Sequence, residues 1–161
     1  MESLTALGSV VGKLLKERGE TLAAAESSAG GLINAALVAV PGASAYYLGG
    51  GIVYTAAGRS ALLGITAQDM AYTRSSTEPF AKLLAQRMRA NLGATWGLGE
   101  TGASGPTGNR YGDAPGHACI AVCGPVEAVM TLETGRADRE ANMWVFAQRA
   151  MELLESCLRK A

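Results

Sequence analysis

Charge is what this chain has least of. Asp, Glu, Lys and Arg make up 17% of its 161 residues, against about 25% in an average globular protein. A surface so short of charge leaves room for contacts between subunits, and a homo-oligomer is expected. An excess of either sign is also missing, since 14 basic residues balance 14 acidic ones. Without a basic field to attract a polyanion, nucleic acid is excluded as the primary partner. Long apolar runs are absent too: LINAALVAVPGASAYYL is broken at Pro41-Gly42 and does not suit a bilayer span. The N-terminus, MESLTALGSVVGKLLKERGE, lacks a basic start followed by an apolar block, so it does not read as a secretion signal. A cytoplasmic location with no membrane partner is the resulting expectation.

Metal ligands are scarce. One histidine, His117, and three cysteines, Cys119, Cys123 and Cys157, are all the chain offers. His117, Cys119 and Cys123 alternate along a predicted strand, which sets the two thiols about 13 Å apart, too far to share an ion. They read as packed thiols, their odd number fits a reducing compartment, and neither metal nor organic cofactor is expected.

What is present reads as one domain over residues 1–161 without linkers, repeats or low-complexity tracts. Leu4, Leu7, Val11, Leu14 and Leu15 recur at helical spacing up to Gly19. A strand is predicted over 21–25, a buried helix over 30–40, a strand over 51–55 and a short helix through Leu63. Ser75 and Glu78 have the spacing of a capping box for a helix running to Leu92. Strands follow over 95–101, 117–123 and 126–134, the last two as a hairpin around Gly124-Pro125, and a helix over 139–158 closes the chain. The order α-β-α-β-α-α-β-β-β-α predicts an α/β domain: a mixed sheet covered by helices on both faces.

The stretch AAAESSAGGLI, residues 23–33, carries the chemistry. A strand that turns into a helix through Ser and Gly presents backbone N–H groups at the positive end of the helix dipole. With Ser27 at the turn, its hydroxyl faces the cavity beyond the strand end, and the N–H groups of Ala29, Gly30 and Gly31 are expected to hold an oxyanion. Glu26 and Ser28 belong to the same ligand-facing corner. Capping of the helix by one hydroxyl is the competing explanation; it leaves Glu26 and the double glycine unexplained.

Several segments in order resemble one family, the CinA C-terminal domain, whose active members are nicotinamide-nucleotide amidases. Its A-E-S-C-T-G-G is matched by Ala25-Glu26-Ser27-Ser28-Ala29-Gly30-Gly31, and its P-G-A-S by Pro41-Gly42-Ala43-Ser44. Its G-x-V-x-Y-S-N-x-x-K-x-x-L-L-G is similar to GGIVYTAAGRSALLGI, with Tyr54 on the tyrosine and Arg59 on the lysine. Ser76-Thr77-Glu78 resembles a V-S-E helix start, TGASGPTGN a T-G-x-A-G-P-x-G loop, and Asp138-Arg139 the end of G-D-R. The resemblance implies that Ser27 attacks the carboxamide of a small polar heterocycle or nucleotide, nicotinamide mononucleotide in the family, with Tyr54 in proton transfer and ammonia released.

Arg59 departs from the family in a way that matters, because a serine hydroxyl needs a base. A buried lysine can lose its proton near neutral pH; an arginine keeps it up to about pH 12. Two accounts remain open. Arg59 is the cation that favours the phenolate of Tyr54, which then serves as base, or it grips an anionic group of a ligand that is bound and not turned over. In that case the domain is a catalytically silent small-molecule binder. His117 is an alternative base.

The loop TGASGPTGNRYG has the glycine content that lets backbone approach a ligand closely. The resemblance makes it the pocket wall opposite Ser27, with Thr101, Gly102, Ser104, Gly105 and Asn109 as contacts and Arg110 for an anion. Arg139 is expected to hold a phosphate or carboxylate.

Overall fold

A computed structural model describes residues 3–161; Met1 and Glu2, part of the stretch read as lacking a leader, lie outside it. Helix α1 (Leu4–Arg18) starts where the Ser3 side chain accepts the Ala6 N–H and ends at Gly19 in the left-handed conformation. Strand β1 (Leu22–Glu26) leads into α2 (Leu32–Val38), β2 (Tyr47–Ile52), α3 (Ala56–Leu63) and α4 (Glu78–Leu92). Strands β3 (Trp96–Ala103), β4 (His117–Cys123) and β5 (Ala128–Glu133) follow, and α5 (Arg139–Lys160) ends the chain.

The five strands form one sheet in the order β2-β1-β3-β4-β5. β1 lies between two parallel neighbours, β2 and β3, while β3, β4 and β5 run antiparallel in turn. A central parallel pair buried on both faces explains the composition of β1, LAAAE, whose five residues are all buried. The α1, α2 and α5 helices cover one face, packing Leu15, Leu37, Phe146 and Leu154 on Leu22, Ala24, Leu98 and Ile120. Helices α3 and α4 cover the other, where Leu63, Phe80, Leu84 and Met88 meet Ala23 and Ala25. The mixed α/β sheet with helices on both faces is therefore as the element order predicts.

Two glycines in β3 are explained by the close approach of α4. A Cβ on Gly99 would lie 2.8 Å from the Ala85 backbone nitrogen, and one on Gly97 would lie 2.8 Å from Arg89 Cβ. A side chain at either position would push the helix off the sheet.

Two expectations are corrected. The second strand lies at 47–52, not 51–55. The α4 helix is capped by Thr77, whose side chain accepts from the Phe80 N–H, and not by Ser75. Ser76 takes a left-handed φ of 64°, and this turns the chain between Ser75 and the helix so that the Thr77 hydroxyl is the one in capping position.

Candidate active site

The sheet-to-helix corner is built around two buried carboxylates. Glu26 ends β1 with no exposed surface. It accepts the Gly31 N–H at 2.6 Å, the Ile33 N–H at 3.3 Å, the Asn34 N–H at 2.7 Å and Asn34 Nδ2 at 2.6 Å. It is thus the N-terminal cap of α2. Burial pushes its carboxyl up, and those four donors pull the other way. Glu100, in the middle of β3, is equally buried. Its Oε2 accepts the Ser27 N–H at 3.0 Å and the Ala29 N–H at 2.9 Å, while Oε1 pairs with the Ser28 hydroxyl. Burial raises the Glu100 carboxyl to about 7, against the pull of Ser28, Ala29 and Ser27.

These contacts change how the corner is read. The Ala29 and Gly31 N–H groups expected to hold an oxyanion are engaged by Glu100 and Glu26, and the Gly30 N–H by the Ser27 carbonyl. Glu26 and Ser28 are buried structural partners that do not line the cavity beside Ser27. Gly30 and Gly31, with φ of 66° and 101°, supply the left-handed backbone that turns the strand into the helix.

Ser27 itself lines an open cavity of about 360 Å³ together with Tyr54, Thr55, Arg59, Ser75, Phe80, Thr101, Gly102, Asn109, Arg110 and Tyr111. Two arginines and no carboxylate stand among the described residues of its wall. Arg59 sits over the Phe80 ring at 5.6 Å and donates from Nη1 to Ser75 Oγ at 3.2 Å. Thr101 Oγ1 accepts the Ser76 N–H at 3.1 Å, which leaves its own proton to give. Ser104 and Gly105, buried behind this wall, do not line it.

The cation on Tyr54 is Arg139, which donates from Nη2 to the phenolic oxygen at 2.7 Å and from Nη1 to the Gly105 carbonyl at 2.6 Å. Both arms used in this way join the β2–α3 connection, the β3–β4 loop and the start of α5. The guanidinium bonded to the Tyr54 phenol is thus that of Arg139, while Arg59 stands on the same cavity wall as Tyr54 and Arg139 is not among the residues lining it.

His117 is not a base for Ser27. It lies outside the cavity wall, with Nε2 on the Ser76 carbonyl at 2.8 Å and Nδ1 paired with Glu133. Burial opposes its charge, but the Glu133 carboxylate, the Ser76 carbonyl and Asp113 outweigh it and raise the ring above 6.5. A raised folded value stabilises the fold fully below the unfolded value and less as pH rises through the folded one. The chain has one histidine, so a single ring resonance in a proton NMR titration reports it. That resonance is expected to titrate above 6.5, and Glu133→Gln is expected to move it down; an unmoved midpoint would refute the pairing.

The comparisons with known proteins bear on this arrangement. A family model described as the CinA C-terminal domain matches residues 4–158. The chain belongs to that family. A CinA-like protein of Prochlorococcus marinus is 43% identical over 119 residues, 74% of this chain and 28% of the relative. One from an Anaeromyxobacter species is 38% identical over 158 residues, 98% of this chain and 38% of the relative. This CinA-type domain thus spans 28% of the one relative and 38% of the other. A competence-damaged protein (CinA) superfamily structure from Klebsiella pneumoniae superposes with a TM-score of 0.91 at 24% identity, covering 99% of this chain and 100% of that one. At that identity the likeness is one of fold.

Proposed function

We propose that this CinA-type domain is a serine amidohydrolase that removes ammonia from a carboxamide on a small polar heterocycle or nucleotide. The family resemblance makes nicotinamide mononucleotide the first substrate to test, with the mononucleotide of nicotinic acid as product. The observation that carries the reading is the Ser27 hydroxyl on a cavity shared with a phenol, Tyr54, and with the cations Arg59 and Arg110.

In this reading Ser27 Oγ attacks the amide carbon and Tyr54, oriented by Arg139, gives its proton to the departing nitrogen. With the corner N–H groups engaged elsewhere, negative charge developing on the carbonyl oxygen is met by Thr101 and by the free N–H groups of Arg59. Arg110 at the rim suits a phosphate or carboxylate of the substrate. The proton of Ser27 must go to some other group, since an arginine does not take it.

A second reading has one observation in its favour: no lysine lines the cavity among the described residues. On it the domain binds a small anion and turns nothing over. The two separate when the purified protein is incubated with nicotinamide mononucleotide, nicotinamide riboside and asparagine and the ammonia is measured. Release is expected with at least one of them, and strongest with the phosphorylated amide. No release from any, together with a raised melting temperature on adding the nucleotide, would replace the hydrolase with the binder.

A further inference from the structure

Tyr111 lines the Ser27 cavity, and the loop around it is organised to hold it there. Its backbone N–H donates to Asn109 Oδ1 at 3.0 Å, and Asn109 Nδ2 donates to Asp113 at 2.8 Å. Asp113 in turn takes both arms of Arg74, at 2.8 and 3.2 Å. The Arg74 and Arg110 guanidinium carbons lie 4.8 and 4.9 Å from the centre of the Tyr111 ring. Arg110 Nη2 donates to the phenolic oxygen at 2.8 Å. Arg59 stands on the same wall. The phenol therefore faces three arginines, and the carboxylate closest in sequence, Asp113, is committed to Arg74 and Asn109.

We propose that Tyr111 is the general base of the site, taking the Ser27 proton that an arginine at position 59 cannot take. The assignment rests on the amidohydrolase reading for its substrate, but not for its test. The other titratable groups nearby have other places or roles: both nitrogens of His117 have partners, Glu100 lies behind the wall, and Tyr54 is the acid for the leaving nitrogen in the proposed reaction. The Arg110 N–H holds the Tyr111 phenol below its usual value near 10; burial opposes this, while the Ser75 hydroxyl and the Arg59 charge add to it.

The proton count closes with two tyrosines. The Tyr111 phenolate takes the Ser27 proton as Oγ bonds to the amide carbon and the carbonyl π pair moves onto oxygen. Collapse of that intermediate breaks the C–N bond, and the Tyr54 phenol protonates the leaving nitrogen, giving ammonia. Water then gives a proton to the Tyr54 phenolate as its oxygen attacks the acyl carbon. Ser27 Oγ leaves and recovers its proton from the Tyr111 phenol.

Ser27 can be read without knowing the substrate, by its rate of phosphorylation with diisopropyl fluorophosphate, fluoride leaving, located by peptide mass. The wild-type protein is expected to be labelled at Ser27 with a rate that rises through a midpoint below pH 10, and Tyr111→Phe to be labelled about 100-fold more slowly or less. Arg110→Gln, which keeps the phenol and removes its donor, is expected to move the midpoint up. Equal labelling of Tyr111→Phe, an unmoved midpoint in Arg110→Gln, or a wild-type Ser27 that does not react would each overturn the assignment. Labelling that depends on Tyr111 in a protein releasing no ammonia would support the base and sink the amidase.

Discussion

Ser27→Ala is expected to remove ammonia release by about 10,000-fold or more, the size of effect seen when a serine nucleophile is deleted, with little change in melting temperature. The structural part of that expectation is specific. The Ser27 side chain makes no hydrogen bond among the described residues, and its link to Glu100 runs through the backbone N–H, which alanine retains. Ser28→Ala is the control that gives the result meaning, because the Ser28 hydroxyl is buried and paired with Glu100. Its loss is expected to lower stability by about 1–3 kcal/mol and to leave turnover measurable. If ammonia release survives in Ser27→Ala and disappears in Ser28→Ala, the nucleophile has been assigned to the wrong neighbour.

Glu100→Ala is expected to have the largest effect on stability, about 3 kcal/mol or more. It would strip the Ser27 N–H, the Ala29 N–H and the Ser28 hydroxyl of one shared acceptor, and in a buried corner no water replaces it cheaply. Glu100→Gln behaves differently. Its amide oxygen accepts the two N–H groups and its NH₂ donates to Ser28, which imitates the protonated acid. The Glu100 carboxyl titrates at about 7 when folded, against 4.5 as its ordinary value. The folded protein therefore holds an extra proton between those values, and stability falls as pH rises across that window. Glutamine has no such loss, so the variant is expected to match the wild type near pH 5 and to exceed it by about 3 kcal/mol near pH 8. Urea unfolding at the two pH values reads this directly; wild-type and Glu100→Gln curves that stay parallel would show that the carboxyl is ionised throughout.

The parts of this fold that could be read from the residue pattern are those whose cause is local. Strand β4 runs from His117 to Cys123, as its apolar run indicates, and α5 begins at Arg139, where the predicted last helix starts. Strand β2 was displaced because the run YLGGGI has three glycines where side chains would mark alternation, and its end blends into VYT. At the site, Ser27, Tyr54, Arg59, Thr101, Gly102, Asn109 and Arg110 come together on one cavity. What failed was the assignment of partners. Glu100 binds residues 71 to 73 positions away, and Arg139 reaches Tyr54 across 85, distances at which spacing carries no information. A single signal for Glu100 was available, an acid inside the otherwise apolar and glycine-rich WGLGETGA of β3, because a charge buried there needs donors to meet it. Tyr111 had none, since its surroundings arise from the folding of a loop.

The two arms of Arg139, one on Tyr54 and one on Gly105, make the Ser27 cavity a product of the whole polypeptide. During synthesis the serine corner, the phenol and the glycine loop all leave the ribosome before the clasp that holds two of them together. A nascent or prematurely terminated product that stops short of position 139 lacks both this fastening and the Phe146 and Leu154 side chains that pack on the sheet, so the hollow is expected to take shape only once the last helix has docked.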